Sequence, residues 1–117
     1  MSRYQRGDVV RAPLPYMDEN GIWRVKFRPF VVVDVDGVND NITVSCTGQT
    51  HKSKNFPGIS VLLDSDEGRK MGIDRDSFIY CNTTIVFVNK DIIRKIGTCP
   101  LMKEICEKLG YEYEGDD

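Results

Sequence analysis

Histidine and tryptophan occur once each in these 117 residues, and cysteine four times, which removes several kinds of chemistry at the outset. Cys46, Cys81, Cys99 and Cys106 form no CxxC pair, and one histidine cannot complete a zinc site at such spacings. No metal is expected, and in a reducing compartment the thiols serve as buried apolar fillers. No surplus of positive charge exists either. Sixteen Lys and Arg stand against eighteen Asp and Glu, for a formal charge of −2. Nucleic-acid binding would therefore have to come from a local basic patch. There is no run of about 18 apolar residues and no apolar segment of signal-peptide length in MSRYQRGDVV, so no membrane partner and a cytoplasmic protein are expected. The motifs GxxxxGK[ST], GxGxxG and HExxH are missing, which withdraws support from phosphate-loop hydrolysis, dinucleotide binding and zinc proteolysis. A Cys–His hydrolase built on Cys46 and His51 lacks a third orienting group. No cofactor is called for.

What is present is a β-rich chain of one expected domain, 1–117, with 40% hydrophobic residues. GDVVRAPLP (7–15) reads as a first strand broken by Pro13 and Pro15. YMDENGIWRVK (16–26) reads as a long polar loop. RPFVVVDVD (28–36) is a continuous apolar run, the pattern of a strand buried on both faces. GVNDN joins it to ITVSCT (42–47), predicting a hairpin. ISVLLD (59–64), SFIYC (77–81) and TTIVFV (83–88) are further strands, and SDEGRKMG (65–72) reads as a loop. The period then changes: Leu101, Ile105, Cys106 and Leu109 mark one face of a helix, with Pro100 in its first turn and Gly110 as its stop. The acidic tail YEYEGDD (111–117) reads as solvated. The expected fold is mostly β with a C-terminal α-helix, a small β-barrel that closes its edges and leaves function to its loops.

Two stretches gather the groups that could hold an anion. WRVKFRP (23–29) alternates Trp23, Val25 and Phe27 with Arg24, Lys26 and Arg28, offering rings for bases and charges for phosphates. The plainer reading is a charged hairpin arm with Trp23 packed onto the barrel. VSCTGQTHKSK (44–54) ends a strand and collects Thr47, Gln49, Thr50, His51, Lys52 and Lys54, all able to donate to phosphate or base edges. Its plainer reading is an ordinary polar loop. Their relative position says more. If RPFVVV pairs with ITVSCT, Arg28 opens one strand where Thr47 closes its partner, so guanidinium and hydroxyl meet at one end of the sheet. Arginine grips phosphate through two parallel hydrogen bonds and stays charged.

At these residues the sequence resembles the MazF/PemK family of toxin endoribonucleases from type II toxin–antitoxin systems. The matching pieces are RGDVV (6–10), RPFVVV (28–33), SCTGQTHK (45–52), GIDRDSFI (72–79) and KIGT (95–98), followed by the terminal helix. The resemblance implies an SH3-like barrel, a homodimer, metal-independent and sequence-specific cleavage of single-stranded RNA, and an antitoxin that lays a disordered acidic segment over the RNA site. It puts Arg28 and Thr47 at the catalytic positions and Gln49 at a substrate contact. The implied chemistry is attack of a ribose 2′-hydroxyl on the adjacent phosphate, leaving a cyclic phosphate and a 5′-hydroxyl. Arg28 would stabilise the dianionic transition state and is a candidate acid, while Thr47 would orient the phosphate or the 2′-hydroxyl. Where many members carry an acid and an arginine, this chain reads YCNTT, so Tyr80 and Asn82 take those places as RNA contacts. His51 ranks as a substrate contact or bystander. Two other classes stay open: a non-catalytic RNA- or protein-binding barrel, and a CcdB-like toxin directed at gyrase.

Overall fold

Successive side chains of a strand point to opposite faces, and the run Phe30–Val31–Val32–Val33 finds an apolar partner on each. Val31 and Val33 join one buried cluster, Phe30 and Val32 another, and all four are fully shielded. Burial of this kind contributes about 1.5–3 kcal/mol per large aliphatic side chain, which is why the central strand needs no polar face. The computed structural model describes residues 3–48, 57–92 and 94–113.

The elements follow in the order β1 (Asp8–Met17), β2 (Trp23–Asp36), β3 (Asn41–Gly48), β4 (Gly58–Val61), α1 (Asp66–Met71), β5 (Ser77–Tyr80), β6 (Ile85–Val88), a single 3-10 turn, β7 (Arg94–Thr98) and α2 (Met102–Leu109). The strands are antiparallel and lie in the order β4-β5-β3-β2-β1-β7. β3 forks the sheet: Asn41 to Val44 pair with β6, whereas Thr47 and Gly48 pair with β5. The result is a curled half-barrel with a C-terminal helix. Among the described residues β4 and β7 do not pair, so the edges are not closed by strand pairing. Helices stand there instead, α1 packed beside β7 and α2 beside β4. Met102, Ile105 and Cys106 of α2 complete the first core cluster, and Phe30 meets Phe87 edge-on at 5.0 Å in the second.

Several segments depart from the sequence reading. Strand β1 does not stop at Pro13 but runs through Pro15 to Met17, because beyond Arg11 its only strand neighbour among the described residues is β2 and no ladder bond toward β7 is lost. The stretch 16–26 is therefore not a long loop but a hairpin arm, with Met17 opposite Trp23 and Tyr16 opposite Arg24. Its tip is held by Asp18, whose carboxylate accepts from the backbone N–H groups of Asn20 and Ile22 and from the Arg24 side chain. Those donors hold the Asp18 carboxyl below its ordinary range, Arg24 foremost. The stretch 65–72 is also not a loop. Ser65 caps helix α1 by accepting from Gly68 N–H at 3.0 Å, and Gly72, at φ 73°, ends it. At the C-terminus, Tyr111 and Tyr113 are not solvated tail but pack partly on the first core cluster.

Candidate functional site

The hairpin register carries the site. Phe30 pairs with Cys46, so the next residues outward bring Arg28 and Pro29 to the end of β3. Arg28 Nη1 donates to the Thr47 carbonyl at 3.3 Å, and Thr47 Oγ1 donates to the Pro29 carbonyl at 2.9 Å. Two strands are thus crosslinked at the sheet end by the side chains of the predicted pair. One guanidinium nitrogen of Arg28 is engaged, which fixes its orientation and leaves its other N–H groups unassigned. Thr47 is only 3% exposed. With its proton committed to Pro29, its hydroxyl meets a ligand through its lone pairs, as an acceptor.

Two depressions share Lys26, Arg28, Thr47 and Gly48 as a common wall. The first, about 230 Å³, adds Arg11, Phe27, Pro29, Asp74, Arg75 and Ser77. Four cationic side chains therefore surround a single hollow, accompanied by one carboxylate. Arg75 Nε lies 3.4 Å from Asp74 Oδ1, and Ser77 Oγ donates to the Arg75 carbonyl, which pins this loop between α1 and β5. The second depression, about 390 Å³, adds Leu14, Tyr16, Cys46 and Tyr80. Lys26 Nζ sits 4.4 Å from the centre of the Tyr16 ring. Tyr80 lies so close over Gly48 that a Cβ there would fall 2.7 Å from its ring. One side of the shared wall is cationic and the other aromatic.

Of the residues singled out in the sequence, Arg28, Thr47, Lys26, Phe27 and Tyr80 come together here. Trp23, Arg24 and Asn82 line neither depression. Trp23 is 68% exposed near the arm tip rather than packed on the sheet, and the Arg24 guanidinium is paired with Asp18. The physical reason is position along the arm: Trp23 stands opposite Met17 at its outer end and the Arg24 side chain is drawn to Asp18 at the tip, whereas Lys26, Phe27 and Arg28 lie nearer the end of β3. Gln49, Thr50, His51, Lys52 and Lys54 lie outside the described residues. Arg11, Asp74, Arg75 and Ser77 were not singled out. The one available signal was the charge-dense DRDS within GIDRDSFI.

Burial pushes the Cys46 thiol above its ordinary value, against the opposing pull of Arg28 and Lys26. That keeps it protonated near neutral pH and argues against a thiolate nucleophile. Among the described residues no three His, Cys, Asp or Glu side chains gather as a metal-binding group. No described helix is long and apolar enough to cross a membrane.

A family model for PemK-like, MazF-like toxins of type II toxin–antitoxin systems matches residues 5–111. No curated protein matches the chain.

Proposed function

Because the chain belongs to the PemK-like, MazF-like toxins of type II toxin–antitoxin systems, we propose that it is an endoribonuclease that cuts single-stranded RNA at the wall between the two depressions. The observation that carries this reading is the convergence of Arg28 and Thr47, joined through the 3.3 Å bond at the sheet end and lining both hollows. Single-stranded RNA needs cations for its backbone and rings for its unstacked bases. The cationic hollow with Arg11, Arg28 and Arg75 suits the first, and the hollow with Tyr16 and Tyr80 suits the second.

In the reaction, the ribose 2′-oxygen forms a bond to the neighbouring phosphorus as the bond to the departing 5′-oxygen breaks. The 2′-hydroxyl proton passes to solvent water, and the departing 5′-oxygen takes one from water. The products carry a 2′,3′-cyclic phosphate and a 5′-hydroxyl. Charge builds on the non-bridging oxygens, where the free N–H groups of Arg28 supply fixed donors. Thr47 Oγ1, its proton held by Pro29, accepts from the 2′-hydroxyl and orients it for attack. No metal is required by this scheme. The partners of the reading are a cognate antitoxin and a second copy of the chain. Apolar residues exposed along the arm, Met17, Trp23, Val25 and Phe27, support protein contacts.

End-labelled single-stranded RNA, incubated with the protein in chelator-containing buffer and mapped by primer extension, tests the proposal. Cuts with 5′-hydroxyl ends are expected. Arg28→Ala should lower the rate by about 100- to 1,000-fold, as for loss of one transition-state donor, while the circular dichroism spectrum is unchanged. An Arg28→Ala protein that cuts at the wild-type rate removes the assignment. Intact RNA with the wild-type protein favours the non-catalytic barrel.

A further inference from the structure

Arg11 is a partly buried residue on β1 whose side chain has no ion pair or hydrogen bond among the described residues. Its cross-strand neighbours offer no compensation. On one side it faces Pro29 of β2, and on the other it faces Arg94 of β7. Like charges placed directly opposite across a ladder lower stability, and ordering a long side chain has its own entropic cost. Nothing in the packing of β1 repays either. What Arg11 does share is the cationic hollow with Arg28, Thr47 and Arg75.

We infer that Arg11 is a substrate-binding residue of the proposed nuclease, holding a second phosphate of the same RNA strand beside the one held by Arg28. The inference rests on the reading under Proposed function and extends it to a residue outside the Arg28–Thr47 pair. The lining supports it. The register sets Arg11 opposite Pro29 and Ala12 opposite Arg28 on the neighbouring strands β1 and β2. Strand alternation starts the two arginines off on opposite faces, yet both side chains line the one hollow at the sheet end, together with Thr47. Arg75, on the loop before β5, lines the far side of the hollow. Arg11 and Arg75 bring positive charge to the hollow from elements other than the Arg28–Thr47 hairpin.

The test is titration of a single-stranded RNA bearing 2′-O-methyl groups, which cannot supply the attacking hydroxyl, over a range of salt concentrations. Arg11→Met keeps the aliphatic stem over Pro29 and removes the charge. It should weaken binding roughly five- to tenfold at low salt, as for loss of one charge-assisted contact. The slope of log affinity against log salt should become shallower by about 0.7, the value for one phosphate on a single strand. With cleavable RNA, KM should rise while kcat holds. Arg11→Lys should keep the wild-type salt slope. Arg94→Met, which removes the opposing charge but lines neither hollow, should leave both affinity and slope in place. An unchanged slope in Arg11→Met, or an equal change in Arg94→Met, overturns the inference while the nuclease reading stands. A wild-type protein that cuts RNA but shows no salt-dependent binding also overturns it. Failure of the wild-type protein to bind RNA removes both.

Discussion

Cys99 is a thiol with nowhere to put a charge. It is 4% exposed, and burial pushes its pKa from 9.0 to about 11. Burial likewise raises Cys46, Cys81 and Cys106. The sign follows from proton counting. Below pH 9 both folded and unfolded chains hold the Cys99 proton, and the stability is fully present. Between pH 9 and 11 the unfolded chain releases the proton while the folded one keeps it, so stability falls as pH rises. The loss should be on the order of 2 kcal/mol for this one group. Urea unfolding at pH 8 and pH 10.5 measures it. Cys99→Ala should unfold with a visibly smaller difference between the two pH values, and an identical difference would place the alkaline sensitivity elsewhere. The same residue-level logic separates Cys46 from nucleophilic thiols: it lies against the candidate site, yet desolvation outweighs the pull of two nearby cations.

At the scale of elements, Gly97 decides how closely helix α1 can approach strand β7. A Cβ at Gly97 would stand 2.4 Å from the carbonyls of Lys70 and Met71. Those are backbone atoms and cannot swing aside as a side chain would. Gly97→Ala should therefore push α1 off the sheet and cost about 2–4 kcal/mol, the range for a strained, overpacked core contact. Thermal unfolding of the variant checks this, and a midpoint equal to wild type would show that α1 shifts freely. The same close packing explains why α1 was illegible in the sequence. Gly68 sits inside it because a Cβ there would fall 2.2 Å from the Leu62 carbonyl. A glycine chosen for tertiary approach reads locally as a helix breaker. By contrast RPFVVV, ITVSCT, SFIYC and the face of α2 announce themselves, since their periods are set by burial alone. Arg28 and Thr47 were legible because a hairpin pairs residues across one short turn. Arg11 and Arg75 were not, because β1 and the loop before β5 reach the hollow only after the sheet curls.

Across the whole molecule, stability and contact surface are kept apart. Both core clusters are drawn mainly from the paired strands, the first also from α1 and α2, with Val9 and Val31 on one side of the sheet and Val10 and Phe30 on the other. The distal arm contributes Met17, Ile22, Trp23, Val25 and Phe27 to neither cluster, and each is at least 50% exposed. Since Trp23 is the only tryptophan, indole fluorescence reports on the arm and is nearly blind to the cores. In dilute isolated protein its native emission should already resemble that of free indole, and it should shift little when circular dichroism records unfolding. Trp23→Arg should move stability by no more than about 0.5 kcal/mol, as for an exposed position. Phe30→Ala, which opens a cavity beside Phe87 in the second cluster, should cost about 3–5 kcal/mol. A blue-shifted native emission that turns red at the unfolding midpoint would contradict this division, because it would show the indole covered in the folded protein and the arm part of what holds it together.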